Sequence, residues 1–176
     1  MTAEASEARE IYSSDSNPEL VLPVPRGLSF EPDPFVSMKP PPQSDPMDES
    51  ILAIIAEALR WKGVPYAYGG SSMTVSDCSG YVGAVLARAT GKGKIFPRSS
   101  GDYAVFGDKV TDSISPGDIL VFSRNGVIYH VGIALSKNTF IHSASEGERT
   151  GVIISSLDDG MWRSRLAGIR RLSSGK

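Results

Sequence analysis

Apolar side chains along the first quarter of the chain recur with no period, and a helical period sets in near residue 51. Ile51, Leu52, Ile55, Ala58, Leu59 and Lys62 mark one face of a helix. Asp45-Pro46-Met47-Asp48 starts it with an N-cap acid, a proline at the first helical position and further acid, and Gly63 and Pro65 end it. A second run, Val82, Val85, Leu86 and Ala89, follows Asp77 as N-cap and stops at Gly91. Ser99 and Ser100 cap a short third helix within 96–103. The turn Ser115-Pro116-Gly117-Asp118 then launches strands at 119–123, 127–135, 139–143 and 151–155, each β-branched or aromatic-rich. A short polar stretch at 158–164 precedes a last strand at 168–172. Helices first and short strands afterwards predict an α+β fold, with helices packed on a central antiparallel β-sheet.

Residues 1–46 hold nine of the twelve prolines among serines and acids, which blocks helix and central strand alike. They are expected to form a Pro-rich N-terminal arm or linker, with a domain at 47–176. Leu20-Val21-Leu22, Phe30 and Phe35-Val36 predict that part of the arm lies as an extended ribbon on that domain. A net charge of −2 gives no electrostatic case for nucleic acid, and Arg163, Arg165, Arg170 and Arg171 are too sparse to track phosphates. No apolar run approaches the ~20 residues that span a bilayer, and the first seven residues lack the basic and apolar parts of a signal peptide.

Cys78 is the only cysteine, so no intrachain disulfide can form. As an isolated residue it would read as a buried structural thiol. Its place in the first turn of a capped helix instead favours a thiolate through free backbone N–H groups and the helix dipole. The base must come from His130 or His142, the only histidines, both on neighbouring strands. A two-residue hairpin loop would send them to opposite faces of the sheet. A three-residue loop, Ser136-Lys137-Asn138, pairs Leu135 with Thr139 and sets His142 across from Gly132, on the face of His130. Asn138 would take the left-handed position of that loop, and Gly132 would leave space for the His142 ring. The result is a Cys–His–His relay of nucleophile, base and orienting group. Zinc held by the same three residues is the rival, but no CxxC or HxxxH element preorganises such a site, and no cofactor is expected.

With these residues assembled, the chain from about 48 to 172 resembles the NlpC/P60 family of papain-like cysteine peptidases. The resemblance rests on Gly63-Val64-Pro65-Tyr66-Ala67-Tyr68-Gly69-Gly70, Asp77-Cys78-Ser79-Gly80-Tyr81-Val82, Pro97-Arg98-Ser99-Ser100 and Pro116-Gly117-Asp118-Ile119. It continues through His130-Val131-Gly132-Ile133, Phe140-Ile141-His142-Ser143-Ala144 and Arg170-Arg171. It implies a papain-like fold and a catalytic domain acting on peptidoglycan stem peptides. Cys78 would be the nucleophile, His130 the base and acid, and His142 the polar third member. Tyr66 would reach toward the nucleophile, while Asp77, Ser79 and Arg98 would lie in or near the substrate groove. The expected reaction is hydrolysis of a γ-D-glutamyl–diamino acid bond by a monomer working in the periplasm, the envelope or outside the cell, a phage lysin included. An amidase or acyltransferase on another γ-glutamyl or lipid-like substrate is the alternative, and a non-catalytic wall-binding domain a further one. One departure stands out: Tyr103 occupies a place where the family usually has Gln, which bears on the groove wall.

Overall fold

The computed structural model describes residues 46–173 except 94 and 148, and the expected N-terminal arm lies outside the described residues. The order of elements is α1 (Pro46–Arg60), α2 (Cys78–Thr90), α3 (Ser100–Tyr103), β1 (Asp108–Val110), β2 (Ile119–Arg124) and β3 (Val127–Ala134). β4 (Thr139–Ala144), β5 (Gly151–Ser156), α4 (Gly160–Arg165) and β6 (Leu166–Arg171) follow. All six strands pair antiparallel in the order β1-β6-β2-β3-β4-β5, so the last strand inserts between the first two. This is the α+β arrangement expected from the switch of period. Two elements were not: β1, only three residues long, and α4, which replaces the polar stretch at 158–164.

The two helices pack through a stripe that differs from the expected face of α1. Ile54, Ala58 and Trp61 are buried, whereas Leu52 and Leu59 are exposed. Trp61, one position past the helix end, extends the stripe, and burying its large ring decides which side turns inward. The indole donates to Glu57 Oε1 at 3.1 Å, and its ring meets Tyr81 of α2 edge-on at 5.8 Å. Tyr81 in turn donates its hydroxyl to Ala58 O at 3.1 Å, so the polar tips of this aromatic pair are both satisfied inside the core.

One face of the sheet, carrying Ile119, Val121, Val131, Ile133 and Ile141, shares a core with α1 and α2. The other buries Leu120, Phe122, Ala134, Phe140 and Leu157, with Trp162 of α4 packed against them. The period of two thus appears as two separate cores, one on each side of the same strands. Asn125 (φ 52°) and Gly126 (φ 78°) turn β2 into β3, as a two-residue hairpin loop with both central residues left-handed requires. At the far end Arg171 of β6 grips the buried Asp118 carboxylate at 2.7 and 2.9 Å and so ties the last strand to the turn that starts β2. Among the described residues no helix is long and apolar enough to cross a membrane.

Candidate active site

Cys78 opens α2. Asp77 caps the helix by accepting from Gly80 N at 2.6 Å, and Gly91 ends it in the left-handed conformation (φ 67°), as the capping pattern requires. The segment before the helix is tied down at several points. Gly63 N donates to Val152 O and Val152 N to Val64 O, which lays its start along β5. Ser143 of β4 donates to Ser76 O at 2.8 Å, which fixes the backbone two residues before the thiol.

β3 and β4 pair only at Ile133–Ile141 and Ala134–Phe140. The Val131 N–H, outside that ladder, hydrogen-bonds the Cys78 sulfur, so the first turn of α2 meets β3 next to His130. The thiol is half-buried. Its pKa is nevertheless raised, by burial first and by the Asp77 charge second, against the lowering effect of the Val131, Ser79 and Cys78 N–H groups. The helix start alone predicts a thiolate; desolvation and the neighbouring carboxylate reverse that preference in the resting protein.

The histidines stand as the three-residue loop requires. His130 Nε2 lies 2.8 Å from His142 Nδ1, and the rings meet edge-on at 4.8 Å. Leu135 N donates to Thr139 O, which closes the hairpin in the expected register. The loop itself differs from expectation. Asn138 is not left-handed; Ser136 Oγ holds the turn by accepting from Asn138 N and Thr139 N and by bonding Thr139 Oγ1. Gly132 does provide the room: a Cβ there would stand 2.9 Å from Phe140 Cδ2 and 3.0 Å from His142 Cβ. Both imidazoles are almost fully buried among Phe122, Phe140 and Trp162, and His142 stacks on Phe140 at 4.7 Å. Burial lowers the His130 pKa to about 4, with Glu146 opposing it, and the same burial with His130 beside it drives His142 well below the usual imidazole range. Thiol and imidazoles are therefore uncharged at rest.

Tyr66 projects toward this centre. Its hydroxyl pKa is raised by burial first and then by Cys78 and Asp77, with Ser145 opposing them, so it lies close to all three. Asp77, Ser79 and Arg98 are brought together, but as a closed network. The Asp77 carboxylate accepts from Gly80 N, Gly69 N and Arg98 Nη1, with Ser79 Oγ 3.1 Å away, and is held below the usual carboxylate range by the Arg98, Gly80 and Gly69 bonds despite its burial. Ser79 Oγ donates to Arg98 O at 2.7 Å. Of the three, only the Arg98 side chain is substantially exposed, at 48%. Tyr103, at the position of the departure, is fully buried beneath this network.

Sequence reasoning missed two neighbours of the histidine pair. Trp162 of α4 covers both histidines, with ring centroids 5.4 Å from His130 and 4.9 Å from His142. Asp159 caps this helix by accepting from Met161 N, so an acid followed by Gly160 was the available signal in a stretch that reads as polar. Ser155 Oγ lies 2.9 Å from His142 Nε2, which followed from β-alternation only once the β4–β5 register was known. Among the described residues no group of three or more His, Cys, Asp or Glu is placed to hold a metal ion. A cavity of about 730 Å³ is lined by Ile51, Ile54, Phe96, Phe106, Asp118 and Arg171 among others, and neither Cys78 nor the histidines line it.

Residues 63–171 match the model of the NlpC/P60 family. The chain is 38% identical over 128 residues to the gamma-DL-glutamyl hydrolase of Bacillus subtilis, an alignment covering 70% of this chain and 30% of that protein. It is 36% identical over 122 residues to the murein DD-endopeptidase MepS/murein LD-carboxypeptidase of Escherichia coli, covering 69% of this chain and 62% of that one. The chain thus spans less than two thirds of the length of either relative. Among solved structures, an NLP/P60-family protein from Staphylococcus aureus described as similar to lipoprotein superposes with a TM-score of 0.59 at 32% identity, over 73% of this chain and 43% of that one.

Proposed function

The chain belongs to the NlpC/P60 family, and from that premise we propose that it is a cysteine endopeptidase that hydrolyses the γ-D-glutamyl–diamino acid bond of peptidoglycan stem peptides. The single observation that carries the reading is the hydrogen-bonded pair of buried imidazoles, with His130 Nε2 2.8 Å from His142 Nδ1 and His130 on the strand whose Val131 N–H reaches the Cys78 sulfur. Because Nε2 is taken, Nδ1 is the nitrogen His130 has left to accept a proton.

Substrate binding removes water and draws the thiol proton onto His130 Nδ1. The sulfur attacks the γ-carbonyl carbon, and the oxyanion takes hydrogen bonds from the Cys78 N–H, a contribution of about 3–4 kcal/mol when preorganised. The Tyr66 hydroxyl stands close to the same centre. The C–N bond breaks as imidazolium returns its proton to the departing amine, leaving a Cys78 thioester. Water, deprotonated by His130, then attacks that carbonyl, the C–S bond breaks, and the thiol is restored. Uncharged partners at rest suit this sequence: His130 is a free base at any pH well above 4, and the ion pair forms only when substrate is in place.

Arg98 is the exposed member of the Asp77–Ser79–Arg98 network and is assigned to the substrate, whose D-glutamate keeps a free α-carboxylate when linked through its γ-carboxyl. Asp77 and Ser79 hold it in place from below. The relatives named for γ-glutamyl and murein bonds support the same substrate class. Acting on that substrate implies work in the cell envelope or outside the cell. Purified muropeptides incubated with the protein test the reading by mass spectrometry. Two fragments separated at the γ-D-glutamyl bond, whose masses together equal the parent plus one water, are expected; cleavage confined to another bond, or products of transfer, would refute it.

A further inference from the structure

We infer that Ser155, by accepting from the His142 Nε2–H, stabilises the pair of histidine tautomers the reaction needs and is a positioning residue for it; the inference rests on the reading of Cys78 as nucleophile and His130 as base. The hydrogen-bonded path runs from His130 Nε2 to His142 Nδ1 at 2.8 Å, and from His142 Nε2 to Ser155 Oγ at 2.9 Å. The strand register builds it. Phe140 faces Ser155 across β4–β5, and His142 faces Ile153. Ser155 is therefore the diagonal neighbour of His142 on the same side of the sheet.

A neutral imidazole carries one proton, on one nitrogen. For His130 Nδ1 to accept from the thiol, the His130 proton must sit on Nε2 and be donated to His142 Nδ1. His142 must then carry its own proton on Nε2, and that N–H needs an acceptor. Ser155 Oγ is the atom within reach. The opposite assignment, with Nδ1–H on His142, would turn both bonds round and place a proton on His130 Nδ1, blocking its role as base. A hydroxyl performs this without adding charge, so the two rings stay neutral where they are buried. The hydroxyl can also donate, so the serine favours the productive direction only as long as it accepts here.

The chain's two histidines make the test direct, because each gives its own nitrogen signals. Long-range ¹H–¹⁵N correlation spectra of the whole protein near pH 7 should show both rings as Nε2–H. In Ser155→Ala, the Nδ1–H form should appear in one or both rings. The same variant should lose about 10–100-fold in kcat with KM changed less than about threefold, a milder loss than the ~10⁴ seen when a triad is forced wholly into the wrong tautomer. Ser155→Thr, which keeps the acceptor oxygen, should retain the Nε2–H pattern. Wild-type protein with Nδ1–H on His142, or an alanine variant with unchanged tautomers, overturns the inference. The wild-type and threonine spectra decide it even where the alanine chain does not fold. No substrate enters the spectra, so a failure of the proposed peptidase activity, seen as undiminished cleavage by Cys78→Ala, would be told apart from a failure of this inference.

Discussion

At Gly132 the space for a functional ring is set by the absence of a single carbon. A Cβ there would press on Phe140 Cδ2 and His142 Cβ, both inside a buried aromatic cluster with little freedom to give. Gly132→Ala is therefore expected to cost about 1–3 kcal/mol of stability and to displace the His142 ring. Cleavage should fall more than tenfold even at temperatures where the variant is fully folded, a comparison that thermal melts and rate assays settle together. Unchanged activity would mean that His142 does not need its observed position. Much of this residue-level geometry was legible in the sequence. Cys78 announced itself by the cap at Asp77, and the histidines by their spacing about a short loop. The protonation of the thiol was not, because the helix start is visible in a string of letters whereas the burial that outweighs it is created only by packing.

At the level of elements, the short helix α4 does more than connect two strands. It lays Trp162 over both imidazoles, in contact also with Phe122 and Phe140. The indole keeps water from His130 and so helps to hold its pKa near 4. Opposing charges are close: Glu146 raises that pKa, and Arg165, hydrogen-bonded to the neighbouring Tyr129 hydroxyl, and Arg124, paired with Glu146, surround the same region. Since the base must be neutral to act, the acid limb of kcat/KM should lie near pH 4 in the wild type. Trp162→Ala should raise it by about one unit or more toward the ordinary imidazole value. A limb that stays in place would show that the ring does not govern hydration of the base. The sequence hid this element because a lone tryptophan among Asp158, Asp159, Arg163 and Arg165 carries no helical period. The face of α1 was misread for a related reason. Its deciding residue, Trp61, lies past the last turn.

Across the described residues, the sheet presents one face to α1 and α2 and the other to the aromatic cluster around the two histidines, and the Val131 N–H, next to His130 and outside the β3–β4 ladder, reaches the Cys78 sulfur. Burying two neutral imidazoles in that cluster links stability to pH. In the unfolded chain both would titrate near 6.5; in the native state they do so much lower. Stability is complete above about pH 6.5 and is lost as pH falls toward 4, because the unfolded state then binds more protons. The slope reaches about 1.4 kcal/mol per pH unit for each histidine. Calorimetry should record a falling Tm between pH 7 and pH 5, a window above the ordinary carboxylate range; a flat Tm there would contradict the burial of neutral rings. The central claim, that sulfur at the head of α2 performs the cleavage, is tested most directly by Cys78→Ala on purified muropeptides, with the thermal melt measured alongside. The account predicts turnover reduced to background in a protein that melts near the wild-type temperature. An alanine variant that folds and still cleaves at the wild-type rate would contradict it.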